Sequence, residues 1–132
     1  MTTIADLQAR VHKISQDKGW WAAERTVGDL IALMHSELTE ALEEYRDGRE
    51  PGDVYYTCQE LDDGRVVGTR VAESRREIPL GTLARPDGVA VQLGDCVIRI
   101  LDFCARWGID LETLLEEKVA YNERFPYRAK VI

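Results

Sequence analysis

Basic charge is in short supply in this chain: 17 lysines and arginines stand against 24 aspartates and glutamates, a formal net charge of −7. With a pI near 4.9, that balance argues against a nucleic-acid-binding module, which normally carries a basic face. It leaves room for a phosphorylated small molecule if metal ions offset the local repulsion. Cysteine is sparse too. Cys58, Cys96 and Cys104 are odd in number and lack C-x-x-C spacing, so free thiols that pack in a reducing cytoplasm are expected rather than a disulfide framework. No apolar run reaches the length that crosses a bilayer, and the N-terminal stretch lacks a signal-peptide pattern. Membrane association is therefore not expected, and the expected location is cytoplasmic. Sequence repeats and low-complexity tracts are also missing.

What is present is the composition of a folded chain, 45% hydrophobic and 31% charged over 132 residues. That length predicts a single domain, 1–132, with a modest core of its own. Its clearest pattern lies in residues 27–45, where Val27, Leu30, Ile31, Met34, Leu38, Ala41, Leu42 and Tyr45 recur at helical steps. Thr26 with Asp29 makes a capping box at its start, and Asp47-Gly48 ends it after about residue 46. Glu37, Glu40 and Glu44 fall together on a strip beside the apolar stripe, while Glu43 points away. Carboxylates stacked in this way repel each other and call for a cation. A divalent ion held by oxygen ligands answers that need. The plainer reading is a solvated acidic face, since glutamate is a good helix former. A second segment with matching chemistry has to decide between them.

Around that helix the rest of the chain falls into place. Thr3 caps a first helix running to about residue 18, with Ile4, Leu7, Val11 and Ile14 as its apolar seam and His12 on the polar, surface flank. Trp20-Trp21 follow Gly19 and suit core or interface packing, with a stacking surface for a flat base as the alternative. In an insertion covering about 49–87, residues 54–58 and 65–71 are rich in β-branched and aromatic types. The Asp62-Asp63-Gly64 turn between them predicts a β-hairpin. Pro79, Gly81, Pro86 and Gly88 make residues 74–87 read as loop. A third helix over about 89–107 sets a broad apolar face (Leu93, Cys96, Val97, Ile100, Phe103, Cys104, Trp107) against a polar strip of Gln92, Asp95, Arg99, Asp102 and Arg106. Within that strip, Asp95–Arg99 and Asp102–Arg106 have the spacing of surface ion pairs. Asp110 caps a fourth helix to about residue 123. Behind it lies a tail of cations and amides, either favourable charge at a helix end or a clamp for an anionic ligand.

Facing helices can aim side chains at one metal ion, and Glu37 and Glu40 on one helix with Asp95 on the other could share Mg²⁺. Lys118, Arg124 and Arg128 could then hold a phosphate chain. Four stretches carry a family likeness: Lys18-Gly19-Trp20-Trp21, residues 35–46, residues 88–110, and residues 117–122 continuing into Pro126-Tyr127-Arg128. In these the chain resembles the MazG-like, all-α nucleoside triphosphate pyrophosphohydrolases. The resemblance implies a mainly α fold, a bundle of about four principal helices completed by dimerisation (a homodimer or a dimer of dimers). The β-hairpin would then be an insertion between the second and third helices. It also implies dependence on Mg²⁺, with Mn²⁺ as a possible substitute, and cleavage of an NTP or dNTP to the monophosphate and pyrophosphate. The family's E-x-x-E is matched by Glu37 and Glu40, which with Asp95 become the implied catalytic and metal-binding carboxylates. The family's later E-x-x-D reads here Gln92-Leu93-Gly94-Asp95, so Gln92 can offer a carbonyl oxygen to the metal but no charge. Glu44 and Asp102 are the acids that could compensate. The implied substrate contacts are Lys118, Asn122, Arg124, Tyr127 and Arg128, with Phe125 where the family has arginine. Two rivals stay open, the first of them motivated by the departures at Gln92 and Phe125. One is a catalytically weak or inactive relative that binds a nucleotide or a partner protein, the other a helical dimer whose acidic strip is only solvated.

Overall fold

Three of the helices begin where a short polar side chain can satisfy the first unpaired amides. In the computed structural model, which describes residues 1–125, Thr3 Oγ1 accepts from the Asp6 amide at 3.0 Å and Asp6 Oδ2 accepts from the Thr3 amide at 3.0 Å. This reciprocal box opens α1 (Ile4–Asp17). The Asp29 amide donates to Thr26 Oγ1 at 3.1 Å at the start of α2 (Val27–Arg46). Asp110 Oδ1 accepts from the Thr113 amide at 3.1 Å to cap α4 (Leu111–Arg124), and the Thr113 hydrogen bonds hold the Asp110 carboxyl below the usual carboxylate range. Caps of this kind are worth about 1 kcal/mol each. The remaining helix, α3, is Val89–Arg106.

Between α2 and α3 the expectation of a mainly α bundle carrying a simple hairpin is corrected. β1 (Tyr55–Asp62) and β2 (Arg65–Ala72) do pair as a hairpin, turned by Asp63 (φ 51°) and Gly64 (φ 77°). Two successive positive φ values are what a two-residue hairpin loop with the natural strand twist demands. A third strand, β3 (Ala84–Asp87), lies in the segment read as loop and pairs antiparallel with β1, from Tyr55 opposite Asp87 to Cys58 opposite Ala84. The sheet order is β2-β1-β3, and the fold is mixed α and β. Pro86 reads as a strand breaker, but an edge strand tolerates proline because one side of its backbone has no neighbour. A lone hairpin is marginal in water, whereas three strands packed on a helix can persist. Gly88, with φ 127°, makes the passage from β3 into α3, and a Cβ there would collide with the Asp53 carbonyl.

The chain gathers into two compact units, whose boundaries fall inside α2 and α3. One comprises, among the described residues, 1–30 together with 98–125. In it α1 packs on α4: Gln8 Nε2 donates to the Ile109 carbonyl at 2.9 Å, and the Ile4 amide donates to Glu112 Oε1 at 3.0 Å. Leu30, Leu101 and Cys104 are its buried apolar residues. The other unit is Ile31–Val97, with Ala41, Cys58, Ala72 and Cys96 buried. All three cysteines are reduced and buried, in keeping with a packing role. The apolar stripe of α2 is only partly used: Ile31, Leu38, Leu42 and Tyr45 are 44–56% exposed. Among the described residues, no helix is long and apolar enough to cross a membrane.

Candidate functional site

Glu37 and Glu40 on α2, and Gln92 and Asp95 on α3, all belong to the Ile31–Val97 unit. Each helix supplies its pair at an i,i+3 spacing, which sets both side chains on one face. Glu37 is buried and Glu40 exposed. The Glu40 pKa is raised, first by its partial desolvation, then by a hydrogen bond and charge from Glu37 and by the charges of Asp95 and Glu43. Like-charged carboxylates this close disfavour full ionisation.

The Gln92 amide stands between the two helices. With its nitrogen turned inward it donates to Glu40 Oε2 at 3.0 Å and to Asp95 Oδ2 at 3.2 Å. With its oxygen turned inward, that oxygen faces a carboxylate oxygen of each acid at those separations, which is repulsive unless a cation lies among them. The adjacent oxygens around an octahedral Mg²⁺ lie about 3 Å apart, given ligand distances of 2.0–2.1 Å. Among the described residues, no three His, Cys, Asp or Glu side chains are grouped closely enough to hold a metal ion. Any metal reading therefore rests on Glu40, Asp95 and the Gln92 oxygen, with Glu37 behind Glu40. That donor set fits Mg²⁺, which is commonly held by one or two carboxylates with phosphate and water oxygens completing the shell.

The two acids that could have compensated for Gln92 are engaged elsewhere. Glu44 accepts the Tyr55 hydroxyl at 2.7 and 2.9 Å, tying α2 to β1. Burial, with the hydrogen bond and charge of Glu44, pushes the Tyr55 phenol up to about 12. Asp102 belongs to the other unit and is buried there. Its Oδ1 lies 2.8 Å from His12 Nδ1 and accepts from Ser15 Oγ at 2.7 Å and Trp21 Nε1 at 3.2 Å. Neither His12 nor Asp102 is thus the plain surface group its helical position suggests. Nothing in the sequence marks this centre, because 90 residues separate His12 from Asp102.

Both tryptophans have internal partners. The Arg25 guanidinium lies 3.3 Å over the Trp20 ring, and Trp21 meets Trp107 edge-on at 6.2 Å. Packing accounts for them, beside a cleft of about 450 Å³ lined by Trp21, Glu24, Arg25, Arg106 and Trp107 among others. Lys118, Asn122 and Arg124 are exposed on α4, in the same unit as Asp102. Phe125 stacks on Tyr121 at 4.5 Å. Tyr127 and Arg128 lie outside the described residues. The structure thus brings together Glu37, Glu40, Gln92 and Asp95 and keeps the α4 residues in a separate unit. Comparison with protein-family models, with curated proteins and with solved structures finds no match in any of the three.

Proposed function

We propose that this chain is a Mg²⁺-dependent nucleoside triphosphate pyrophosphohydrolase of the MazG-like kind, working in the cytoplasm. The observation that carries the reading is the meeting of Glu40, Gln92 and Asp95 from two helices at 3.0 and 3.2 Å. Glu40, Asp95 and the Gln92 oxygen would hold the ion, with Mn²⁺ as a possible substitute. Bound there, it would stabilise negative charge building on the phosphoryl oxygens. Glu37, beside Glu40, is the carboxylate suited to take the proton of an attacking water once the ion has displaced the proton the two acids share. Attack on the α-phosphorus forms the new P–O bond, breaks the bond to the bridging oxygen and releases the monophosphate and pyrophosphate. Lys118, Asn122, Arg124, Tyr127 and Arg128 are the residues that the family resemblance implies for the phosphate chain. The exposed α2 row of Ile31, Leu38, Leu42 and Tyr45 supports assembly as a homodimer or a dimer of dimers.

The test is release of pyrophosphate from a panel of NTPs and dNTPs with Mg²⁺ or Mn²⁺. Glu40→Ala is expected to lower the rate by at least about a hundredfold, the scale of a lost catalytic carboxylate. Release no faster than in Glu40→Ala would sink the proposal. The neutral Gln92 favours one rival, a catalytically weak or inactive relative that binds a nucleotide or a partner protein. A large gain in turnover on Gln92→Glu would support that rival.

A further inference from the structure

We infer that Gln92 is a built-in stand-in for the cation: its side-chain NH₂ clamps Glu40 to Asp95 in the metal-free protein, and metal enters only as the amide turns over. The turning-over half rests on the metal reading above; the clamp does not. An amide nitrogen carries two hydrogens, and two carboxylate oxygens lie within reach of it, Glu40 Oε2 at 3.0 Å and Asp95 Oδ2 at 3.2 Å. Each bond is charge-assisted wherever its acceptor is the ionised carboxylate. One side chain on α3 thereby ties α2 to α3.

The amide has two nearly isosteric ends. Rotation about its last side-chain bond exchanges a double donor for a carbonyl oxygen, with no backbone movement needed. The donor end suits the two acids alone, and the oxygen end suits the same acids with a cation among them. Metal must therefore displace two existing hydrogen bonds. A glutamate at this position would have no donor to lose and would add a charge to attract the ion. The expected consequence is a protein that keeps this site assembled without metal and binds metal more weakly than a glutamate version.

The experiment uses the full chain as wild type, Gln92→Met and Gln92→Glu, melted in EDTA and through Mg²⁺ and Mn²⁺ titrations. In EDTA both variants are expected to melt about 3–6 °C below wild type, the scale of two lost hydrogen bonds. In Mg²⁺, Gln92→Glu is expected to bind about tenfold more tightly than wild type, and Gln92→Met no more tightly. The Gln92 side-chain NH₂ signal of wild type, identified by its absence from Gln92→Met, is expected to exchange slowly in EDTA and quickly with Mg²⁺. Should Gln92→Met fail to fold, the Gln92→Glu spectrum identifies the signal instead. A Gln92→Met protein as stable as wild type in EDTA, or a fast-exchanging amide there, overturns the clamp. Mg²⁺ binding to wild type without any change at this amide overturns the switch and leaves the metal reading standing. No Mg²⁺ binding to wild type or Gln92→Glu overturns the metal reading and the switch with it.

Discussion

The hydroxyl of Tyr55 has a second life as a pH probe of the join between α2 and β1. Its folded-state pKa is raised from 10.0 to about 12 by burial and by Glu44. Folding thus favours the protonated phenol, so this contribution is intact below pH 10 and drains away as pH rises towards 12. Tyr55→Phe is expected to lose less stability than wild type between pH 10 and 12, measured by denaturant midpoints at each pH. Parallel curves for the two proteins would refute the linkage. Asp102 is the other residue with a testable load. Replacing it by alanine leaves His12, Ser15 and Trp21 facing a hole where Oδ1 stood. Unmade bonds to partly buried donors cost about 1–3 kcal/mol, and a loss in that range is expected in chemical denaturation. At this scale the sequence reveals which residues share a helix face but not which partner each side chain takes. Glu44 lies on the acidic strip by spacing, yet Tyr55 takes it.

Elements were legible where their signals are local. The caps at Thr3, Thr26 and Asp110 and the Asp63-Gly64 turn place helix starts and the hairpin directly, because each acts within three or four residues. β3 was not legible, since its pairing with β1 joins Thr57 to Arg85 across intervening turns and Pro79. Thr57 Oγ1 donates to the buried Asp87 carboxylate at 2.7 Å, fastening that pairing from the side. Gly88 next to it is the weak point of the element. Gly88→Ala places a Cβ against the Asp53 carbonyl in a conformation that side chains avoid, and a loss of about 2 kcal/mol or more is expected. Urea unfolding of the variant checks it, and an unchanged midpoint would show that the β3–α3 passage relaxes freely.

On the scale of the whole molecule, both units leave apolar side chains in water. Ile31, Leu38, Leu42 and Tyr45 on α2 belong mostly to one helical row, and Leu114, Leu115 and Val119 on α4 are 40–52% exposed. Contiguous apolar surface of this kind commonly marks an interface. Light scattering is expected to return at least twice the 15.0 kDa chain mass, and Leu38→Glu with Leu42→Glu is expected to shift the protein towards the single chain. A wild-type protein that elutes only as a 15.0 kDa species would contradict assembly.

By itself the sequence determined the four helices, their caps, the hairpin turn, and the sharing of a face by Glu37 with Glu40 and by Gln92 with Asp95. All of these follow from backbone geometry repeating over a few residues. Only the tertiary structure decided that a third strand completes the sheet, that Asp102 is buried with His12, and that the Gln92 amide lies between Glu40 and Asp95. Those outcomes depend on which distant groups meet and which charges and donors must then be satisfied. Periodicity places a residue on a face, but it cannot say what stands opposite.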